Sequence, residues 1–195
     1  MGIYIVCKRE QRGFTLQELI LGMAIFFILS AVGVPSYINY ARNGSRDNTT
    51  TELFTDMYYA RSEAIKRKTP IGLCRTADTT VANPVCGGSA NDWSTGWLVF
   101  VDTNGDGAYN GADTLLKIGT PANSKIQIKA NNKANAAIEY LSDGSLNTQY
   151  ATAIFAICDD RNNDGTYDTA YGQNVTVGAM GRPQITSGPL TTCAP

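Results

Sequence analysis

Histidine is absent from this chain, and charged side chains make up only 17% of it. Without histidine, the commonest general base and neutral metal ligand are missing. The sequence also lacks a Gly-x-Ser-x-Gly elbow, a glycine-rich phosphate loop after a strand and any Cys-x-x-Cys spacing. The usual nucleophile, nucleotide and zinc arrangements therefore have no residues to build on, and no catalytic residue is expected. Nor is there a polybasic face. From Ile71 onward seven basic residues meet eleven acidic ones, a balance that disfavours nucleic acid, whose phosphates are bound by accumulated Lys and Arg.

What the chain does have is one long apolar run. Phe14 to Val34 spans 21 residues with Glu18 as its only charge, and at about 1.5 Å per residue it crosses a bilayer core of roughly 30 Å. Before it, Lys8, Arg9 and Arg12 outnumber Glu10, so residues 1–13 stay cytoplasmic by the positive-inside rule and the rest is exported. Placing an ionised carboxylate in hydrocarbon costs at least about 2.5–3.5 kcal/mol, so Glu18 needs a partner. Cleavage after Gly13 would supply one: Phe14 becomes a cationic amino terminus, and its amine can meet Glu18 of a neighbouring copy and set the register between subunits. A secretory signal cut near residues 30–33 accounts for the run less well, because such stretches are shorter and rarely hold an acid. A plain single-span anchor explains the length but leaves Glu18 unpaired.

Arg12-Gly13-Phe14-Thr15-Leu16-Gln17-Glu18-Leu19, running into an apolar helix, resembles the processing site of type IV pilins and type II secretion pseudopilins. The resemblance implies that a prepilin peptidase in the inner membrane cleaves after Gly13 and methylates the Phe14 amine. It implies that Glu18 is the acid used in assembly and that Pro35 is the family's helix-breaking proline. Gln17 departs from the pattern, which usually has an aliphatic residue there; that bears on helix packing, not on processing.

From Pro35 to Lys68 the pattern is helical. Leu53, Met57, Ala60 and Ala64 recur on one face, and Phe54, Tyr58 and Ile65 widen the stripe. Arg46, Asp47, Glu52, Asp56, Glu63, Lys66 and Arg67 are expected on a solvated face, with Thr69-Pro70 as the stop. Together with the apolar run, the helix is expected to reach about 50 residues, on the order of 80 Å. After Pro70 come short β-type runs at 71–74, 96–101, 114–118, 125–130, 138–141, 153–158, 174–177 and 182–186, separated by turn residues. The expected organisation is a leader at 1–13, a transmembrane helix at 14–34, an amphipathic helix at 35–69 that packs on the head, and a β-rich domain at 70–195.

The chain holds five cysteines, with Cys7 in the leader and Cys74, Cys86, Cys158 and Cys193 beyond it. An exported domain suits disulfides. Short loops favour Cys74 with Cys86 and Cys158 with Cys193, the second stapling a Gly/Pro/Thr-rich tail. Asp102, Asn104, Asp106 and Asp113, with Gly107 between, follow the spacing of an EF-hand-like loop and make a candidate calcium site. Against it, the last ligand is the shorter Asp, and Asp, Asn and Gly also serve plain turns. A second loop, Asp160-x-Asn162-x-Asp164-Gly165-x-x-Asp168, repeats the first half and has Tyr171 in the closing position.

Ala60-Arg61-Ser62-Glu63-Ala64-Ile65-Lys66-Arg67, Leu73-Cys74, Trp93-x-x-Gly96-Trp97-x-Val99-Phe100-x-Asp102, Phe155-x-x-Cys158 and Gly181-Arg182 are together similar, in order and spacing, to the GspH/FimT/FimU group of minor pilins and pseudopilins. The resemblance implies an α+β, pilin-like fold: a long N-terminal helix, membrane-spanning in its first half, packed on an antiparallel β-rich head. It implies a minor pilin at or near the tip of a type IV pilus that helps start assembly, with a type II secretion pseudopilin as the alternative. The implied partners are other pilins, the prepilin peptidase and an inner-membrane assembly platform, with the head in the periplasm. Some FimT-like pilins serve DNA uptake through a basic tail near Gly-Arg-x-Arg; here Gly181-Arg182-Pro183-Gln184 lacks the second arginine, so nucleic acid is not the expected partner. Each motif also has a plainer meaning: Trp93 and Trp97 as core aromatics, Arg61 and Glu63 as solvated helix residues, and Arg182 as a strand cap or ion-pair member.

Overall fold

The structure, a computed structural model, describes residues 13–150, 152–190 and 192–193. The rest of the leader, with Cys7, lies outside the described residues. One helix, α1 (Leu16–Arg67), leads into eight strands: β1 (Ile71–Arg75), β2 (Trp97–Val101), β3 (Thr114–Gly119), β4 (Ile126–Ala130), β5 (Ala137–Tyr140), β6 (Ala153–Asp159), β7 (Asp168–Val177) and β8 (Pro183–Ser187). The chain divides into two units, with the boundary between Tyr40 and Ala41 inside α1.

In the first unit α1 runs through Pro35 without ending, as the expected helix of about 50 residues requires, although the resemblance makes this the family's helix-breaking proline. A proline inside a helix removes one N–H, here the donor that would serve the Ala31 carbonyl. The Ser30 and Ser36 hydroxyls donate to the Phe26 and Val32 carbonyls on either side of that gap. Large apolar side chains from Phe14 to Tyr40 are exposed all round the helix, which is long and apolar enough to cross a membrane.

The second unit is a head of two four-stranded antiparallel sheets, ordered β3-β2-β1-β5 and β4-β6-β7-β8. Leu53, Met57, Ala60 and Ala64 form the buried helix stripe against Leu73, Trp97, Val99 and Ile138 of the first sheet and Ile128, Phe155, Ile157 and Val175 of the second. Each large apolar side chain so buried stabilises the head by about 1.5–3 kcal/mol. Trp97 fits because Gly119 lies opposite it: a Cβ there would sit 2.2 Å from the indole. The helix stops where Lys68 turns to φ 58, its N–H still bonded to the Ala64 carbonyl, and Pro70 bars continuation.

The expected charged face of the helix is only partly solvated. Arg46, Asp56 and Glu63 are buried, whereas Tyr58 and Ile65, expected in the apolar stripe, are exposed. The reversal has a physical cause, since each buried charge finds a partner. Asp56 Oδ2 accepts from Trp97 Nε1 at 2.9 Å and Asp56 Oδ1 from Lys117 Nζ at 2.5 Å. Glu63 is held by Lys66 and Arg67, and Arg46 by Asp47 and the Tyr171 carbonyl.

Disulfides join Cys74 to Cys86 and Cys158 to Cys193. Strand β7 starts six residues before its expected beginning. Its first part has no apolar alternation; it is held by pairing of Asp168 with Asp159, by the Leu190 N–H bonded to the Thr169 carbonyl, and by the tail that the second disulfide fixes.

Candidate functional site

The amino-terminal site is built around a helix start. Thr15 precedes the first helical residue, and its backbone N–H and hydroxyl both donate to Glu18 Oε2 at 2.9 Å, while the Glu18 N–H donates to the Thr15 hydroxyl at 3.3 Å. This is a capping box, Thr-x-x-Glu, which satisfies donors that the first helical turn leaves open. Glu18 thus holds a partner inside its own chain. The signal was present in the sequence at Thr15-Leu16-Gln17-Glu18, but a carboxylate in an apolar run pointed first to a neighbouring amine. Phe14 is fully exposed at the head of the same run, and its peptide bond to Gly13 lies outside the helix.

In the head, the β2–β3 loop gathers carboxylates. Asp102, Asp106 and Asp113 place oxygens within 4.8 Å of one another, a group that can hold a hard cation such as calcium. The same groups also hold the turn. Asp102, fully buried, accepts the N–H groups of Gly105, Asp106 and Gly107; Asp113 accepts those of Thr103 and Asn110. Asn104 gives its amide N–H to Asp106 at 2.7 Å. Glu139, on β5, adds a fourth acid that spacing could not reveal, because it comes from a strand 26 residues past Asp113. Burial pushes its carboxyl above the ordinary range, Asn147 pulls it back through a 2.6 Å hydrogen bond, and Asp102 and Asp106 push it further up.

The second Asp-rich loop does not repeat this cluster. Asp160 accepts from the Asp164 and Gly165 N–H groups, and Asp168 from the Arg161 N–H. Tyr171 lies under the Arg161 guanidinium, 3.7 Å from its ring centroid, while Arg161 pairs with Asp159 at 3.0 Å. The loop thereby joins the start of the head's helix segment, where Arg42 donates to the Arg161 carbonyl.

Two motifs meet at a third place. Arg61 Nε donates to the Gly144 carbonyl at 2.9 Å, and Gly181 presses on that same carbonyl: a Cβ at Gly181, whose φ is +71, would stand 2.1 Å from its oxygen. Arg61 and Gly181 are therefore a packing pair that pins the β5–β6 and β7–β8 turns to the helix. Trp93 and Trp97 are both fully buried, Trp93 edge-on to Phe155 at 5.0 Å. Among the described residues Arg182 makes no cap or ion pair; it is exposed.

A family model described as Type II transport protein GspH matches residues 49–181. Prepilin peptidase-dependent protein D of Escherichia coli (strain K12) is 53% identical over 36 residues, which are 18% of this chain and 25% of that protein. The chain thus spans about a quarter of the length of the curated relative it matches. Crystal structures of the type IV minor pilin FimU of Pseudomonas aeruginosa (strain PAO1), in two space groups, are similar at TM-scores of 0.54 and 0.55 and 20% and 19% identity. They cover 75% and 80% of this chain and are themselves covered over 98% and 96%. That likeness is one of fold: a helix followed by an antiparallel two-sheet head. With the family model matching most of the head and the last turns of its helix, the chain belongs to the GspH family of pilins and pseudopilins, structural proteins rather than enzymes.

Proposed function

We propose that this chain is a minor pilin, inserted in the inner membrane by its apolar helix, cut after Gly13 by a prepilin peptidase, methylated at Phe14, and incorporated at or near the tip of a type IV pilus to help start assembly. One observation carries the reading: a GspH-type head continues from an apolar helix that opens on Phe14, Thr15 and Glu18. The name of the Escherichia coli relative, a prepilin peptidase-dependent protein, supports the processing step. In the filament, apolar helices bundle with those of other subunits, and Glu18 leaves Thr15 for the amine of an adjacent Phe14. The head faces the periplasm until assembly and meets other minor subunits, and the inner-membrane assembly platform is a separate partner.

A pseudopilin of a type II secretion system is the second reading, favoured by the description of the matching family. A deletion strain assayed in parallel for twitching motility and for secreted-enzyme activity separates the two. Maturation is tested by replacing Gly13 with a bulky residue such as leucine. The variant should keep its full length on a gel and by mass spectrometry, whereas the natural chain begins at a methylated Phe14. A mature terminus anywhere else ends the reading.

A further inference from the structure

Three of the four sheet edges in the head are closed or guarded. Along β4 the 91–93 segment runs as a cover, with the Trp93 N–H on the Ile128 carbonyl and the Ala130 N–H on the Asn91 carbonyl. Beside β5 the chain folds back, with the Leu141 N–H on the Ser145 carbonyl and the Asn147 N–H on the Glu139 carbonyl. On β3 the pairing shifts register opposite Val99 and Phe100, and Lys117 is turned into the ion pair with Asp56. Bulges and inward charges are the devices that keep edge strands from pairing with other chains.

Among the described residues, edge strand β8 has none of these along its length. After Pro183, its residues Gln184, Ile185, Thr186 and Ser187 are all exposed, and none carries a charge. Between Thr169 and Pro195 the one charged side chain is Arg182, at the mouth of this strand. Every other described arginine donates a side-chain hydrogen bond: Arg42, Arg46, Arg61, Arg67, Arg75 and Arg161. Arg182 makes no such bond or ion pair among the described residues. It lines a groove of about 350 Å³ with Thr176, Met180 and Gln184, and Met180 is 78% exposed.

We propose that the open edge of β8 receives an extended, acid-bearing segment of another subunit, which adds as a fifth strand to the second sheet. The strand's backbone pairs with Gln184 to Ser187, and its carboxylate meets Arg182. Charge selects this occupant over a second copy. A copy's own β8 would bring another Arg182 and no acid, since that whole terminal stretch has none. The filament reading above supplies the source of the strand, but the edge itself is testable without any filament.

The test uses the full chain in detergent and a labelled ten-residue peptide of alternating threonine and valine ending in two glutamates, with a twin ending in two lysines. Fluorescence anisotropy should show the acidic peptide binding about two- to fivefold tighter, the worth of one exposed ion pair. Arg182→Glu should erase that preference, while Lys133→Glu, a change at another exposed cation, leaves it intact. Hydrogen exchange of the 184–187 amides should slow when the acidic peptide binds. Ile185→Lys, checked for unchanged tryptophan fluorescence, should weaken both peptides, as should Thr186→Pro. Unslowed exchange at 184–187, or a preference that survives Arg182→Glu, overturns the proposal. So does self-association that Ile185→Lys abolishes, which would make the occupant a second copy. Displacement of the peptide by a 20-base-pair DNA duplex would assign Arg182 to phosphate and overturn it equally.

Discussion

Replacing Asp56 isolates the polar pin between the helix and the first sheet. Its carboxylate is buried beneath the helix and takes hydrogen bonds from Trp97, fully buried, and Lys117, whose side chain is 40% exposed. Asp56→Ala leaves the indole N–H with no acceptor, a loss of about 1–3 kcal/mol. Lys117 can turn to water, so its share is small, on the order of 0.2–1 kcal/mol. A total near 3 kcal/mol, with a urea slope of about 2 kcal/mol/M, lowers the unfolding midpoint by roughly 1.5 M. Asp56→Asn keeps an oxygen for the indole and should cost about a third as much, roughly 1 kcal/mol. The assay is urea titration of the detergent-solubilised chain by tryptophan fluorescence, which reports on the head because both tryptophans lie there. With Trp97→Phe in place, Trp93 remains as the probe, and adding Asp56→Ala should then cost at least about 1 kcal/mol less than it does alone. Equal losses for the Ala and Asn variants, or strictly additive losses in the double variant, refute the pin.

Gly181→Ala should lower the melting temperature by roughly 5–10 °C, because strain of about 2–3 kcal/mol comes from both the positive φ and the overlap with the Gly144 carbonyl; an unchanged melting curve would disprove the close approach. Glu139, its carboxyl raised by burial, contributes stability that is complete below the ordinary glutamate range and is lost as pH rises through its higher folded value. Glu139→Gln should therefore flatten that decline above about pH 4.5 and stabilise the head at neutral pH, as read from melting curves at stepped pH; a decline unchanged by the variant would exclude Glu139 as its source. Asp143, lowered by the Ser145 hydroxyl, works in the opposite sense and weakens the head only as pH falls. Calcium added to the EDTA-treated chain should raise the melting temperature, and Asp102→Asn should abolish that rise; identical curves with and without calcium would leave the Asp102, Asp106 and Asp113 carboxylates to turn formation alone.

The strands were legible because each is a short apolar run bounded by turn residues, and local signals of that kind survive folding: β2, β4 and β8 start within a residue of their expected positions. The first part of β7 was not, since Asp168 to Gln173 carries no alternation and its pairing depends on a tail fastened by Cys193. The helix stripe was visible at Leu53, Met57, Ala60 and Ala64, whereas Asp56 read as solvated because its partners lie 41 and 61 positions away, out of reach of any helical period. For the same reason Asp102, Asp106 and Asp113 stood out as a set while Glu139 did not. Gly181 was noticed as part of a motif, but its role depends on Gly144, a contact that only the folded turns create.

The capping box at the helix start bears on how a solitary subunit waits. Thr15 keeps both its amide hydrogen and its hydroxyl whether or not the chain has been cut after Gly13, so the Glu18 oxygen that they hold has company from the moment the helix forms. On the filament reading proposed above, a lone copy starts with Glu18 already hydrogen-bonded within its own chain. On that same reading, joining a filament exchanges one set of donors to Glu18 for another.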